Sequence, residues 1–284
     1  MGVERVPKTG RGVVRVTAGS KRSGTSQVVR TSLSSGSRTG SWPSSQEADL
    51  RQQLLVSCAN EDMSGVLVAI IVPVLKRPAN VRPLYDSFIS ATSTDDARMY
   101  FVAQRSDTEE RAAIEAIGLE PILVDDVDRS WAKKINRGYE RSTEPWILLG
   151  ADDLRFHDGW VGRVRGMLTT HVGVIGTNDL GNPNTINGSH STHPLVRRTY
   201  ANICGTVDER GKIVHEGYDH NYPDTELVAT ARRRGLYVHR VDCVIEHLHP
   251  AWGKGQNDPV YIRGNLHVQE DSLLFTNRAR KFGW

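Results

Sequence analysis

Cysteine is scarce in this sequence, and the three present, Cys58, Cys204 and Cys243, are odd in number and far apart. That spacing excludes a disulfide framework and a close thiolate metal cage, and it points to a reducing compartment, taken here as the cytoplasm. Long apolar runs are missing too. The longest, Val66 to Leu75, is about half of the ~20 residues that a membrane crossing requires, and it contains Pro73. The N-terminus lacks the apolar core of a secretory signal. A strong excess of one charge is absent from most of the chain: residues 1–46 hold eight Lys or Arg against Glu4 alone, whereas the rest holds 28 bases and 32 acids. The basic isoelectric point thus belongs to the leader and carries no inference about nucleic acid.

What is present divides into three parts. Residues 1–46 are rich in Ser, Gly, Thr and Arg with few large apolar groups, so burial cannot offset the entropy of ordering them. A short helical pattern follows over Gln46 to Cys58, on Leu50, Leu54, Leu55 and Cys58. The expected organisation is a disordered leader over 1–62, with Met63 as a natural start, a domain over 63–250, and a C-terminal extension over 251–284 packed on that domain.

From Val66 onward strands alternate with helices. Val66 to Val74, Met99 to Ala103, Pro121 to Val124, the Trp146 run, Val172 to Thr177 and Tyr237 to Ile245 read as strands. Val81 to Ser90, Glu109 to Ile117, Ser130 to Ser142, Gly159 to Thr170 and Pro223 to Arg234 read as helices. This βαβα order, with apolar strands that do not alternate, predicts an α/β fold whose mainly parallel sheet is covered on both faces. Asn178 to Thr192 is a long polar loop with almost no core material, and loops of that length are usually functional or mobile.

Three polar clusters fall at the ends of these elements. Trp146-Ile147-Leu148-Leu149-Gly150 reads as a buried strand that delivers Asp152 and Asp153 just past its carboxyl end, where open α/β sheets bind ligands. A solvated turn is the alternative for such a pair. Asp224 and Glu226 open a helix, where Asp224 is either a reactive carboxylate or an N-cap. His247 and His249, two apart at the end of a strand, are expected to address one point in space. Two carboxylates plus imidazole suit Mn²⁺ or Mg²⁺ with positions left open for phosphate oxygens.

The order and spacing of these motifs resemble the GT-A glycosyltransferases, in particular the large family 2 of inverting enzymes, over about Val66 to Pro250. In that family a strand like Val68 to Pro73 leads into the nucleotide site, and the helix before the acidic strand carries an Asn-x-Gly like Asn136-Arg137-Gly138. The acidic strand ends in an Asp-x-Asp, and a pattern like Asp224-Thr225-Glu226-Leu227 supplies the base. The resemblance implies a GT-A (Rossmann-like) mainly parallel mixed sheet with helices on both faces. It implies a nucleotide-sugar-dependent hexosyltransferase using Mn²⁺ or Mg²⁺ and a UDP-sugar as donor. Donor contacts fall on Pro73, Lys76, Arg77, Gln104, Asp107, Asn136 and Asp152, and the metal on Asp152, helped by Asp153, with His247 or His249. Asp224 is the base, with Glu226 the alternative.

Two positions depart from the pattern. Gly150 stands where the first Asp of Asp-x-Asp is expected, and Gln104 where an acidic residue usually contacts the nucleotide base. A nucleotidyltransferase shares the sheet, but its Gly-rich basic loop is replaced here by Pro73-Val74-Leu75-Lys76-Arg77-Pro78. A non-catalytic nucleotide-sugar binding module is the other alternative. The acceptor, whether protein, glycan, lipid-linked sugar or modified nucleic-acid base, leaves no readable code.

Overall fold

The structure is a computed structural model that describes residues 44–59, 64, 65, 67–168 and 171–284. The leader over 1–43, Met63 as a start and Val66 as the first strand residue lie outside the described residues. The helix α1 (Ser44–Cys58) buries Leu50 and Leu54 in the core. The stretch from Ser44 to Cys58, which composition placed inside a leader ending at 62, is therefore part of the fold.

The core elements are β1 (Val68–Pro73), α2 (Pro78–Ala91), β2 (Ala97–Gln104), α3 (Thr108–Glu115), β3 (Ile122–Val124), α4 (Trp131–Arg141) and β4 (Trp146–Leu149). They are followed by β5 (Leu154–Phe156), α5 (Trp160–Leu168), β6 (Val174–Asn178), α6 (Pro183–Ile186), β7 (Leu195–Arg197) and α7 (Arg198–Ile203). Finally come α8 (Pro223–Arg233), β8 (Tyr237–His247), α9 (Pro259–Leu266) and α10 (Val268–Phe282). The strands form one sheet in the order β3-β2-β1-β4-β7-β6-β8-β5. Only β7 and β5 run against the rest. The mainly parallel sheet expected from the βαβα alternation is thus present. Among the strands, β5 and β7, three residues each, are the ones that pattern reading leaves out.

Both faces of the sheet are covered. Successive side chains of a strand point to opposite faces, so Ile70 and Leu148 join Phe88 of α2 and Trp160 of α5 on one side, while Ile71 and Leu149 join Ile135 of α4 and Leu227 of α8 on the other. Ser130 caps α4, its hydroxyl accepting from the Lys133 amide.

Gly138 explains itself here, because a Cβ on it would stand 2.2 Å from Ile71 Cγ2. Helix α4 lies that close to β1, and Ile71 is fully buried. Gly138→Ala is expected to destabilise the protein by about 1–3 kcal/mol through overpacking, read as a lower denaturant midpoint at unchanged slope. The Asn of the same motif is also structural. Asn136 donates to Val214 O (2.8 Å) and Glu216, and accepts from the Ile213 amide (3.0 Å). It pins the 213–216 segment rather than facing a ligand.

Candidate active site

Strand β4 ends at Leu149, and the amide of the next residue, Gly150, donates to Ile71 O at 2.8 Å. A Cβ at Gly150 would sit 2.6 Å from that same oxygen. No side chain fits, which is the physical reason that an Asp is missing there. Two residues on, Asp152 and Asp153 turn the chain into β5. Leu154 pairs with His247 in the antiparallel β5–β8 ladder, and the Leu248 amide donates to Asp153 O at 2.9 Å. That ladder brings His247 to Asp153, with His247 Nε2 3.2 Å from Asp153 Oδ1.

Arg77 faces the two carboxylates from the loop after β1. Lys76 turns that loop in the left-handed region (φ 54). The loop is tied down by α3, the Lys76 amide donating to Asp107 and the Arg77 amide to Glu110 Oε2 at 2.8 Å. The guanidinium then donates to Asp152 Oδ1 (3.0 Å), to Asp153 Oδ2 (3.3 Å) and through two nitrogens to Asp258 (2.7 and 2.9 Å). It also stacks 4.4 Å above the Tyr261 ring. Burial pushes the Asp152 carboxyl up to about 7, with the Asp153 charge adding to it and Arg77 opposing. Burial pushes Asp153 up as well, but the His247 ring, the Tyr261 hydroxyl and Arg77 outweigh it and hold Asp153 below the ordinary range. Neighbouring acids are thereby driven apart by different partners.

The strand ends at His247, so strand alternation does not govern His249. His249 instead opens a 3₁₀ turn, its Nδ1 accepting from the Ala251 amide at 3.0 Å. Its ring still packs on His247 (centroids 5.0 Å apart) and on Tyr261 (4.5 Å). Burial and the nearby His247 pull its pKa down to about 4.

A cavity of about 400 Å³ opens beside these groups, within the range of small-molecule sites. Of the residues expected to bind donor, metal or acceptor proton, it is lined by Pro73, Arg77, Asp152, Asp153, His247, His249 and Asp224. Lys76, Gln104, Asp107, Asn136 and Glu226 do not line it. Lys76 pairs with Asp107 (3.2 Å), Asp107 caps α3, and Gln104 donates to Asp126 at 2.9 Å. Glu226 is buried in a bidentate pair with Arg278.

Asp224 does not cap its helix. The capping position is Tyr222, at a left-handed φ of 74 and without a side-chain cap bond. Asp224 sits in the first turn of α8, takes the Thr225 amide on Oδ1 (2.8 Å), and meets His190 Nε2 at 3.1 Å with Oδ2. Burial opposes ionisation of Asp224, but the His190 bond and charge outweigh it and lower its pKa.

Further cavity residues carry no sequence signal. Lys134 reads as a solvated helix position, yet its side chain is buried, Nζ donates to Val74 O at 2.5 Å, and burial pulls its pKa down to about 8. His190 comes from the polar loop and His193 from just beyond its expected end, and both line the cavity. Tyr261 comes from α9, in the stretch taken as an extension.

The donor set can be tested against a divalent ion. Asp153 Oδ1 is buried and meets the His247 ring without a well-aligned hydrogen bond, so a cation between the two would compensate the burial of the carboxylate. The 3.2 Å separation of Asp153 Oδ1 from His247 Nε2 matches the roughly 3 Å between adjacent ligands of an octahedral Mg²⁺ or Mn²⁺. Among the described residues no group of three or more His, Cys, Asp or Glu is arranged to hold a metal.

Sequence comparison finds no matching family model and no matching curated protein. Among solved structures, glucosyl-3-phosphoglycerate synthase from Mycobacterium tuberculosis, in complex with Mn²⁺, UDP-glucose and phosphoglyceric acid, aligns with a TM-score of 0.50 at 14% identity, over 81% of this chain and 83% of that chain. The fold is the GT-A fold. A second structure of the same synthase, with Mn²⁺ and UDP-glucose, gives a TM-score of 0.48 at 14% identity, over 80% and 82% of the two chains. In GT-A terms, Asp152 and Asp153 stand at the turn after the acidic strand, and the cavity lies outside the carboxyl ends of β1 and β4, where open α/β sheets bind ligands. Among the described residues no helix is long and apolar enough to cross a membrane.

Proposed function

We propose that this protein is a divalent-metal-dependent glycosyltransferase of the family 2 type, which moves a hexose from a UDP-sugar to an acceptor hydroxyl with inversion. The observation that carries the reading is the buried Asp153 carboxylate paired with His247, in the same cavity as the Asp224–His190 pair. The synthase of the same fold holds Mn²⁺ and UDP-glucose, which agrees with it.

Glycosyl transfer passes through an oxocarbenium-like state and expels a diphosphate. Asp153 and His247 would hold the ion, which when bound supplies positive charge to the leaving diphosphate. Arg77, clamped by Asp258 and the two carboxylates, adds a fixed cation beside it and keeps Asp153 from turning away. Asp152, paired with Arg77, supports that clamp. Removal of the acceptor proton falls to the Asp224 end of the cavity, where a group of opposite role is kept ionised.

The test is calorimetry of the whole chain with UDP-glucose and a panel of other nucleotide sugars, with and without Mn²⁺. Binding that needs the ion, together with a transferred sugar of inverted anomeric configuration by NMR, is the expected result. Failure to bind any nucleotide sugar in either condition removes the proposal, and binding without turnover leaves only a binding module.

A further inference from the structure

Asp224 is poorly placed to take a proton itself. Its Oδ1 accepts from the Thr225 amide at 2.8 Å and its Oδ2 faces His190 Nε2 at 3.1 Å. Both oxygens are engaged, and a carboxyl held below its ordinary range has little affinity for a proton. His190 is the opposite case. With Nε2–H donated to Asp224, its Nδ1 carries the lone pair. That nitrogen has no hydrogen-bond partner among the described residues, and the ring that carries it is a partly exposed lining group of the cavity.

The loop fixes this geometry on both sides of His190. The His190 amide donates to Asn184 O at 2.9 Å. Next to it, the fully buried Ser191 hydroxyl accepts the Thr177 amide at 2.9 Å, and Thr192 donates to Asp179 Oδ2 at 3.0 Å. Asp179 in turn takes the Gly181 and Asn182 amides and the Thr185 hydroxyl on its other oxygen. A loop of polar residues with so many buried anchors is a mount, and His190 is the residue it presents.

We infer that His190 is the general base of the reaction and that Asp224 is its positioning residue, holding the ring in one tautomer and stabilising the imidazolium once formed. The inference rests on the glycosyl-transfer reading and deepens it. In the step, the acceptor oxygen forms its bond to the anomeric carbon while the bond from that carbon to the diphosphate oxygen breaks. The electron pair leaves on the nucleotide diphosphate, and the acceptor proton passes to His190 Nδ1. An Asp behind a His is a proven way to orient such a base.

The groups facing His190 are Asp224 from α8, Asp179 from the end of β6, Arg232 from the last turn of α8, and His239 from β8. Burial and Arg232 lower the imidazole pKa, but Asp224, helped by Asp179, outweighs them and raises it above its ordinary 6.5. A base must be unprotonated, so turnover should rise with pH through an inflection above 6.5 and then level.

The experiment uses the full chain with Mn²⁺ and UDP-glucose, following UDP release to water against pH, donor binding by calorimetry, and the imidazole resonances by NMR. His190→Gln should bind donor within about threefold of wild type and lose roughly 10²- to 10⁴-fold in rate. Asp224→Asn should also keep donor binding, but move both the rate inflection and the His190 NMR titration to lower pH, which a merely structural role would not do. A wild-type rate in His190→Gln, or a pH profile flat from 5 to 9 while Asp224→Asn is inactive, overturns the assignment in favour of Asp224. Donor that binds and stays intact at every pH also counts against it, since water is the smallest hydroxyl the base could use. Loss of UDP-glucose binding in the wild type itself instead sinks the transfer reading, so the two failures are distinct.

Discussion

Asp153→Asn is expected to bring UDP-glucose affinity measured with Mn²⁺ down to that measured without it, a loss of about two orders of magnitude or more. The substitution keeps the shape of the side chain and a group able to meet the Tyr261 hydroxyl, but it removes the charge that a divalent ion needs. Asp153 is the acid paired with a second expected ligand, its Oδ1 3.2 Å from His247 Nε2, whereas Asp152 Oδ1 is taken by Arg77. Asp152→Asn should therefore cost less, acting through a loosened Arg77. Spin-resonance titration of Mn²⁺ on both variants separates them without recourse to turnover. If Asp152→Asn loses the ion and Asp153→Asn keeps it, the ion belongs on Asp152.

The different partners of the two acids show where sequence reading stops. The apolar run ending at Gly150 marks the junction, because a buried strand writes itself as consecutive large apolar residues. Which of two adjacent carboxylates faces an ion depends on the turn that follows and on β5, a strand of three residues. The His247–Asp153 contact is set by the β5–β8 register, which no local pattern encodes. His249 follows the same logic: the His-x-His spacing promises one face only while the strand continues, and it ends at His247. Asn136 and Gly138 were legible as a motif but not as to purpose, since a buried amide holding backbone groups and a glycine under an isoleucine look, in one dimension, like ligand contacts. The polar loop after β6 was visible as a loop without core. Its buried anchors, Asp179 and Ser191, read as surface residues until their backbone partners are seen.

Glu226→Ala is expected to destabilise the protein by about 3–5 kcal/mol, the cost of breaking a buried ion pair from one side. Arg278, on α10, donates from Nε to Glu226 Oε2 and from Nη2 to Oε1, each at 2.8 Å, and Tyr218 adds its hydroxyl to Oε2 at 2.7 Å. All three residues are buried. Without Glu226 the Tyr218 hydroxyl has lost its acceptor, and Arg278 keeps only Asp208, at 2.6 and 2.9 Å. For a domain of this size the loss corresponds to a melting temperature lower by roughly 6–20 °C. The pair also sets a sign for acid sensitivity. The Arg278 hydrogen bond outweighs burial and holds the Asp208 carboxyl down at about 2. A carboxyl with its folded pKa depressed contributes stability that is complete above its ordinary 3.8 and is lost as pH falls toward 2. Arg278→Met should remove that contribution, so the variant's melting temperature should fall less steeply than wild type's between pH 4 and 2. Donor affinity at temperatures where Glu226→Ala is folded should match wild type, because Glu226 does not line the cavity. A Glu226→Ala protein that melts like wild type but has lost transfer would reverse the assignment, making Glu226 a reacting group and α10 a passive cover.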